Sequence, residues 1–412
     1  MAQYSTTTAS GVFKTKYIRM SRDMFNSENI VLAKIKRNDV FVGDPGLISV
    51  PTSFGGGRGT GALPRANVTS YQKMLISSKK IYAQVEIDNE AIKASQTDEG
   101  AFVRMSKEPV KRGVQAWQAN LSRMAFNDSL TTDGNGRLGS FSGNQSLVTT
   151  DVYDVVITTG TWKQANWEVK DFVNINTSTA AEFEIINVVP STRTVRLQQT
   201  LGPTVNLATI GAGTHNVYMQ NSRNNDATGI RGALLATTGT LYNISVGYRW
   251  QASSQLTSLS QAITVDLMNQ QTLDIRYAFG ESPDMQVTSF VQYRKILNQL
   301  EDQKRYMVVE SRNAGPKGKF SFQALEFITD SGPIPIIAER FVEDDTFYSL
   351  NSDFIEFHAR PDGGWIEDVN GNGGGIFVRS QTTDSWKATY AVYGEFGIVP
   401  PAHGVMTGLL TS

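Results

Sequence analysis

The sequence has no cysteine, which excludes disulfide frameworks, thiol nucleophiles and thiolate metal sites. Histidine is almost as scarce: only His215, His358 and His403 occur. They stand far apart, in no metal-binding spacing, and read as hydrogen-bonded structural residues rather than ligands. No apolar run approaches the roughly 18 residues of a transmembrane candidate. Met1–Ser10 is polar and lacks the core of a secretory signal. Neither sign of charge is in excess. With 38 basic residues against 39 acidic ones, the chain lacks the surplus typical of a dedicated nucleic-acid binder. H-E-x-x-H, G-x-S-x-G and Walker patterns are missing too. The expectation is a protein with no catalytic, cofactor-binding or metal-binding residues, not an enzyme, made and assembled in a cytoplasm.

What is present is length and pattern. The 412 residues, 40% hydrophobic, suffice for two or three domains with a real core. In the first 40 residues Lys14, Lys16, Arg19, Arg22, Lys34, Lys36 and Arg37 outnumber Asp23, Glu28 and Asp39. The apolar pattern is weak there, so residues 1–45 read as an extended arm. Residues 46–94 read as a long β-hairpin. Leu47, Ile48, Val50 and Phe54 form one side, and Val68, Met74, Ile76, Ile81, Ala83, Val85 and Ile87 form the other. Its tip, Gly55-Gly56-Gly57-Arg58-Gly59-Thr60-Gly61, has the backbone freedom of a loop. It lacks the spacing and the Gly-Lys-Ser/Thr of a phosphate cradle.

A long amphipathic helix follows within residues 95–144. Thr97 can cap it, and Val103, Val110, Val114, Trp117, Leu121 and Met124 fall on one stripe. From Asp98 to Asp128 it would run roughly 45 Å, with Pro109 as a kink or true start. Residues 145–222 then become rich in Thr, Val, Ile and Asn, with short strand candidates at Val152–Thr158, Phe172–Asn176, Glu182–Val189, Thr194–Gln198 and Asn216–Met219. Even spacing of short strands predicts a small β-barrel. Its expected core includes Trp162, Trp167, Phe172, Ile175, Phe183, Ile185, Val188, Val195 and Leu197, and Gly134–Gly143 and Asn221–Asp226 read as flexible joints. Such a core is thin, which predicts marginal stability for the barrel alone.

Beyond it the pattern is mixed α/β over 223–345 and mainly strands over 346–412. Ser258 with Gln261, and Ser289 with Gln292, look like capping boxes. Strands are expected at Asp284–Thr288, Phe320–Ile328, Ile334–Ala338, Phe354–Phe357, Gly375–Arg379 and Trp386–Ile398. Two chemical near-misses fall here. Asp368-Val369-Asn370-Gly371-Asn372-Gly373 begins like a calcium loop, but its twelfth position is Arg379 instead of glutamate. Glu343-Asp344-Asp345 reads as a solvated acidic run.

The order of parts resembles the tailed-bacteriophage major capsid fold, which encapsulin shells and the herpesvirus capsid floor share. In that α+β fold the parts are an N-arm, an extended loop, a spine helix with a peripheral-domain sheet, and an axial domain. Here a small β-barrel is inserted. The stretches that carry the resemblance are Lys79–Ile87 with Glu90–Ser95, Ala227–Leu235, Pro333–Phe341 and Trp386–Val399.

The resemblance implies a structural subunit that self-assembles into hexamers and pentamers of an icosahedral head, located in the virion capsid and assembled in the host bacterial cytoplasm. Its implied partners are itself, a portal protein, a separate scaffolding protein, a decoration protein, and packaged double-stranded DNA contacted without sequence specificity. No membrane is implied. The implied intersubunit residues are the tip glycines Gly55, Gly56, Gly57, Gly59 and Gly61 with Arg58. The implied DNA-facing residues are Lys14, Lys16, Arg19 and Arg22. Only about 45 residues precede the strand signals of the hairpin, so scaffolding is expected from a separate chain or is absent. Two other readings stand beside this one: an encapsulin-like cellular nanocompartment shell, and a β-rich tail, fibre or carbohydrate-binding protein.

Overall fold

The computed structural model describes residues 30–38, 46–51, 71–89, 113–130, 134–247, 249–302, 325–329, 332–360, 364–366, 377–380 and 383–411. The described chain opens with a short helix α1 (Ile30–Lys34) and strand β1 (Lys36–Asn38). Strands β2 (Gly46–Pro51) and β3 (Tyr71–Ile76) then pair antiparallel, from Gly46 opposite Ile76 to Pro51 opposite Tyr71. The expected single return arm is divided at Ser77-Ser78. Strand β4 (Lys79–Asp88) leaves the hairpin and pairs over all ten residues with a strand from the far end of the chain, Ser385–Ile398. The reason is burial. Ile81 and Val85 point inward from β4, and a two-stranded ribbon has no interior to receive them.

Helix α2 is described over residues 113–125. Val114, Trp117, Leu121 and Met124 of the expected stripe are all buried. Thr97, Val103, Pro109 and Val110 lie outside the described residues. The helix lies close on the sheet: a Cβ on Gly113 would stand 2.5 Å from Val85 Cγ2. Trp117 meets Tyr390 edge to face at 5.3 Å.

Seven strands follow: β5 (Arg137–Ser142), β6 (Ser146–Thr149), β7 (Val152–Val156), β8 (Phe172–Ile175), β9 (Ser178–Val189), β10 (Thr194–Leu201) and β11 (Thr214–Met219). They form one sheet in the order β5-β11-β8-β9-β10-β7-β6. The sheet curls almost into a barrel, because Thr158 N beyond β7 donates back to Ser140 O of β5 at 2.7 Å. Inside is a separate core that includes Phe141, Val155, Phe183, Leu197 and Val217, each fully buried. The stretch 137–142 is therefore a strand and not a joint. Its glycine and serine suggested a turn, but Leu138, Gly139, Ser140 and Phe141 are all buried. Phe172 is 38% exposed while Val173 is buried. A one-residue offset exchanges the two faces of a strand.

Among the remaining elements are α3 (Ile230–Leu235), β12 (Ser254–Leu256), α4 (Val265–Phe279), β13 (Met285–Thr288), α5 (Phe290–Asp302), β14 (Leu325–Thr329), β15 (Gly332–Ala338), β16 (Phe347–Leu350), β17 (Ile355–Ala359), β18 (Gly364–Trp365), β19 (Phe377–Arg379), β20 (Ser385–Ile398) and β21 (Gly404–Met406). One six-stranded sheet runs β1-β17-β20-β18, with β4 and β19 also on β20. Another runs β12-β21-β16-β13-β15-β14 and carries α4 and α5. Helix α4 does not start at Ser258, whose φ is +56°. It starts after Thr264, whose side chain accepts from Leu267 N at 3.2 Å. Ser289 does cap α5, accepting from Gln292 N at 3.3 Å. The Gln292 amide reaches forward instead, to Asp344 O and Leu410 O.

Candidate functional site: a buried charge cluster beneath the barrel

The described residues contain no group of three or more acidic or histidine side chains placed to hold a metal. No described helix is long and apolar enough to cross a membrane. The tip residues Gly55, Gly56, Gly57, Arg58, Gly59 and Gly61, the arm residues Lys14, Lys16, Arg19 and Arg22, and the Asp368–Gly373 loop lie outside the described residues.

The chemistry gathers elsewhere, where barrel and core meet. Helix α2 ends by delivering Arg123, Asn127 and Asp128. The barrel contributes Arg137 from β5 and Lys163 from the turn after β7. Helix α3 contributes Arg231, and the turn after β15 contributes Glu343. Lys163 Nζ lies 2.6 Å from Glu343 Oε1 and also donates to Phe126 O at 3.0 Å. On the opposite side of the same carboxylate, Arg231 Nη1 lies 3.4 Å from Glu343 Oε2. Arg231 donates to Thr346 Oγ1 at 2.9 Å as well. Arg231 Nε is 3.6 Å from Asp128 Oδ2, which also pairs with Arg137. Arg123 Nη1 faces Asp226 Oδ2 at 3.4 Å, and Asn127 Nδ2 donates to the same oxygen at 3.0 Å.

Glu343 is 4% exposed, which corrects the reading of 343–345 as a solvated run. Burial alone would raise its carboxyl, but Arg231 and Lys163 together outweigh burial and hold it below the usual carboxylate range. Asp345 is occupied too, accepting from Thr346 Oγ1 at 2.9 Å and Gly408 N at 3.3 Å. The sequence carried a signal for this cluster. Arg231 stands alone in an apolar run, and Lys163 lies between two tryptophans that stack at 6.1 Å. A buried cation needs a partner, and adjacent acids do not advertise which of them is buried.

Above the cluster, a cleft of about 670 Å³ separates barrel residues Trp162, Glu168 and Val188 from core residues Phe290, Glu339 and Val342. Burial pushes the Glu339 carboxyl up to about 7. Behind the cluster, Glu395 Oε1 accepts from Thr228 N at 2.6 Å and Phe396 N at 3.0 Å. Burial still pushes it up to about 8. Every charge of the cluster itself faces an opposite one. It holds the end of α2, the barrel, α3 and the turn after β15 together.

No family model matches the chain, and no curated protein matches it in sequence. Among solved structures, the capsid of cyanophage A-1(L) matches with a TM-score of 0.50 at 12% identity, over 91% of this chain and 90% of that one. The chain has the fold of a phage capsid subunit. A structure from Gordonia phage Cozz (TM-score 0.41, 12% identity, 92% and 86% covered) and the SrpI encapsulin of Synechococcus elongatus (0.38, 7%, 92% and 86%) are further matches. Within this capsid fold the charge cluster lies at the C-terminal end of α2, beside the chain segments that lead into and out of the barrel.

Proposed function

We propose that this chain is a major capsid protein, the self-assembling subunit of an icosahedral phage head around double-stranded DNA. The observation that carries the proposal is the capsid fold, shared with the cyanophage A-1(L) capsid over nine-tenths of both chains. The chain's own physics supports it. The hairpin β2–β3 is rooted by buried Met74 and Ile76, yet it leaves Leu47 and Tyr71 58% and 65% exposed. Lone hairpins are marginal in water, and neighbouring copies would supply the missing burial. In this reading the subunits form hexamers and pentamers in the virion capsid. A portal protein, a separate scaffolding protein and a decoration protein are partners, and assembly takes place in the bacterial cytoplasm. The glycine tip around Arg58 rests on a neighbour, the barrel faces outward, and Lys14, Lys16, Arg19 and Arg22 touch DNA through salt-sensitive, sequence-independent contacts.

The test is to express the chain alone and with candidate scaffolding chains from its own genome, then examine the products by sedimentation and electron microscopy. Closed icosahedral particles are expected. Only monomers or dimers under every condition would overturn the proposal, and particles that package an enzyme in place of DNA would redirect it to a nanocompartment shell.

A further inference from the structure

An inserted domain on two linkers ordinarily moves relative to its host. Here the linkers are joined to each other. Asn224 N donates to Asn135 O at 3.1 Å, and Asn135 Nδ2 donates to Asp226 O at 2.6 Å. Gly136 has φ +94°, and a Cβ there would lie 2.8 Å from Ser222 O. The two chains of this neck therefore touch backbone to backbone. Both are then tied to the end of α2, the incoming one through Arg137 to Asp128, the outgoing one through Asp226 to Asn127 and Arg123. A third tie lies off the neck, from Lys163 across to Glu343.

The third tie decides orientation, because two points on a neck still leave a swivel. Asp128 and Glu343 each take one cation from the barrel and share Arg231 of α3, but Asp128's barrel cation, Arg137, sits at the neck, whereas Glu343's, Lys163, lies away from it. Lys163 and Glu343 are 8% and 5% exposed at their side chains, so water cannot easily replace either partner. Pulling them apart would leave uncompensated charge in a buried site. We propose that Lys163–Glu343–Arg231 is a latch that fixes the barrel in one orientation on the core, making it a rigid part of the subunit instead of a tethered appendage. The proposal does not rest on the shell reading and holds or fails in any assembly state.

The latch has an asymmetry that a general stabilising role lacks. Removing the charge of Glu343 leaves buried Lys163 without its paired carboxylate and Arg231 with Asp128 alone. Removing Lys163 leaves Glu343 paired with Arg231 and Thr346 still on Arg231, and what is lost is the barrel's hold on Glu343 and on Phe126 O. Hydrogen exchange on the full chain, with wild type and variants in the same assembly state, reads this directly. In E343Q, amides of the neck (134–137 and 222–226) should exchange at least about thirtyfold faster. Strands β9 and β10 in the barrel core should change less than about threefold. K163M should accelerate the neck about five- to tenfold, again with the barrel intact. If E343Q does not fold, K163M alone decides. A neck as protected in the variants as in wild type would overturn the latch. So would neck and barrel core losing protection together in K163M, since the cluster would then hold the fold as a whole and not the docking.

Discussion

At the scale of single residues, the molecule keeps several ionisable groups where water cannot reach them, and their titration should be visible in stability. Burial raises Glu395 from an ordinary 4.5 to about 8. The folded state therefore binds this proton more tightly than the unfolded chain. Its contribution is complete below about pH 4.5 and is lost as pH rises toward 8. Asp171, raised to about 6, and Glu339, raised to about 7, act in the same sense but finish earlier. His403 acts oppositely. Burial lowers it to about 3, and its ring Nδ1 accepts from Asn351 N at 3.1 Å. That contribution is complete above about pH 6.5 and is lost as pH falls toward 3. Between about pH 7 and 8, Glu395 is thus the group of this set whose proton the folded chain still holds and the unfolded chain has lost. Urea titrations should show stability falling with pH across that interval at up to about 1.4 kcal/mol per pH unit. E395Q, which keeps an acceptor for Thr228 N, should flatten the slope. A slope unchanged in E395Q would show that the carboxyl does not titrate there.

At the scale of elements, local patterns and long-range pairings separate cleanly. The alternation of β20 and of the barrel strands was legible, because period-two burial is written in adjacent residues. The partner of β4 was not, since Lys79–Asp88 pairs with Ser385–Gly394 and nothing local to either strand names the other. The charge cluster was hidden for the same reason. Its members come from α2, the barrel, α3 and the turn after β15, and only the solitary Arg231 and Lys163 hinted at burial. Helix starts lie between these cases. Ser258 matched a capping pattern, yet Thr264 makes the cap, because Ser258 and Ser260 both adopt positive φ in a loop tied to Thr407 and Gly408. The two can be told apart by experiment. T264A should destabilise the chain by about 1 kcal/mol through loss of the bond to Leu267 N. S258A should stay within about 0.5 kcal/mol of wild type. Equal effects on the urea midpoint would contradict this assignment of the cap.

At the scale of the whole molecule, the question is where a single copy leaves apolar surface bare. On the hairpin, Leu47 and Tyr71 point away from any core, while Met74 and Ile76 at its root are buried at 2% and 1% exposure. On helices α4 and α5, Leu273, Tyr277 and Phe290 are exposed in the same way. If the chain is a shell subunit, the hairpin side chains belong to contacts between copies, and their value appears only on assembly. The double variant L47S/Y71S should then keep the wild-type urea midpoint within about 0.5 kcal/mol, as exposed sites do. It should nonetheless raise the protein concentration needed for particle formation at least about tenfold, which is about 1.4 kcal/mol per subunit. Removing the tip, Gly55–Gly61, should impair assembly further without unfolding the subunit. Light scattering against concentration, with stability measured on the same preparations, separates the two effects. A variant that assembles at the wild-type threshold would mean that the hairpin lies bare in the shell as well. A variant that loses stability in proportion would mean that its apolar side chains serve the subunit's own fold.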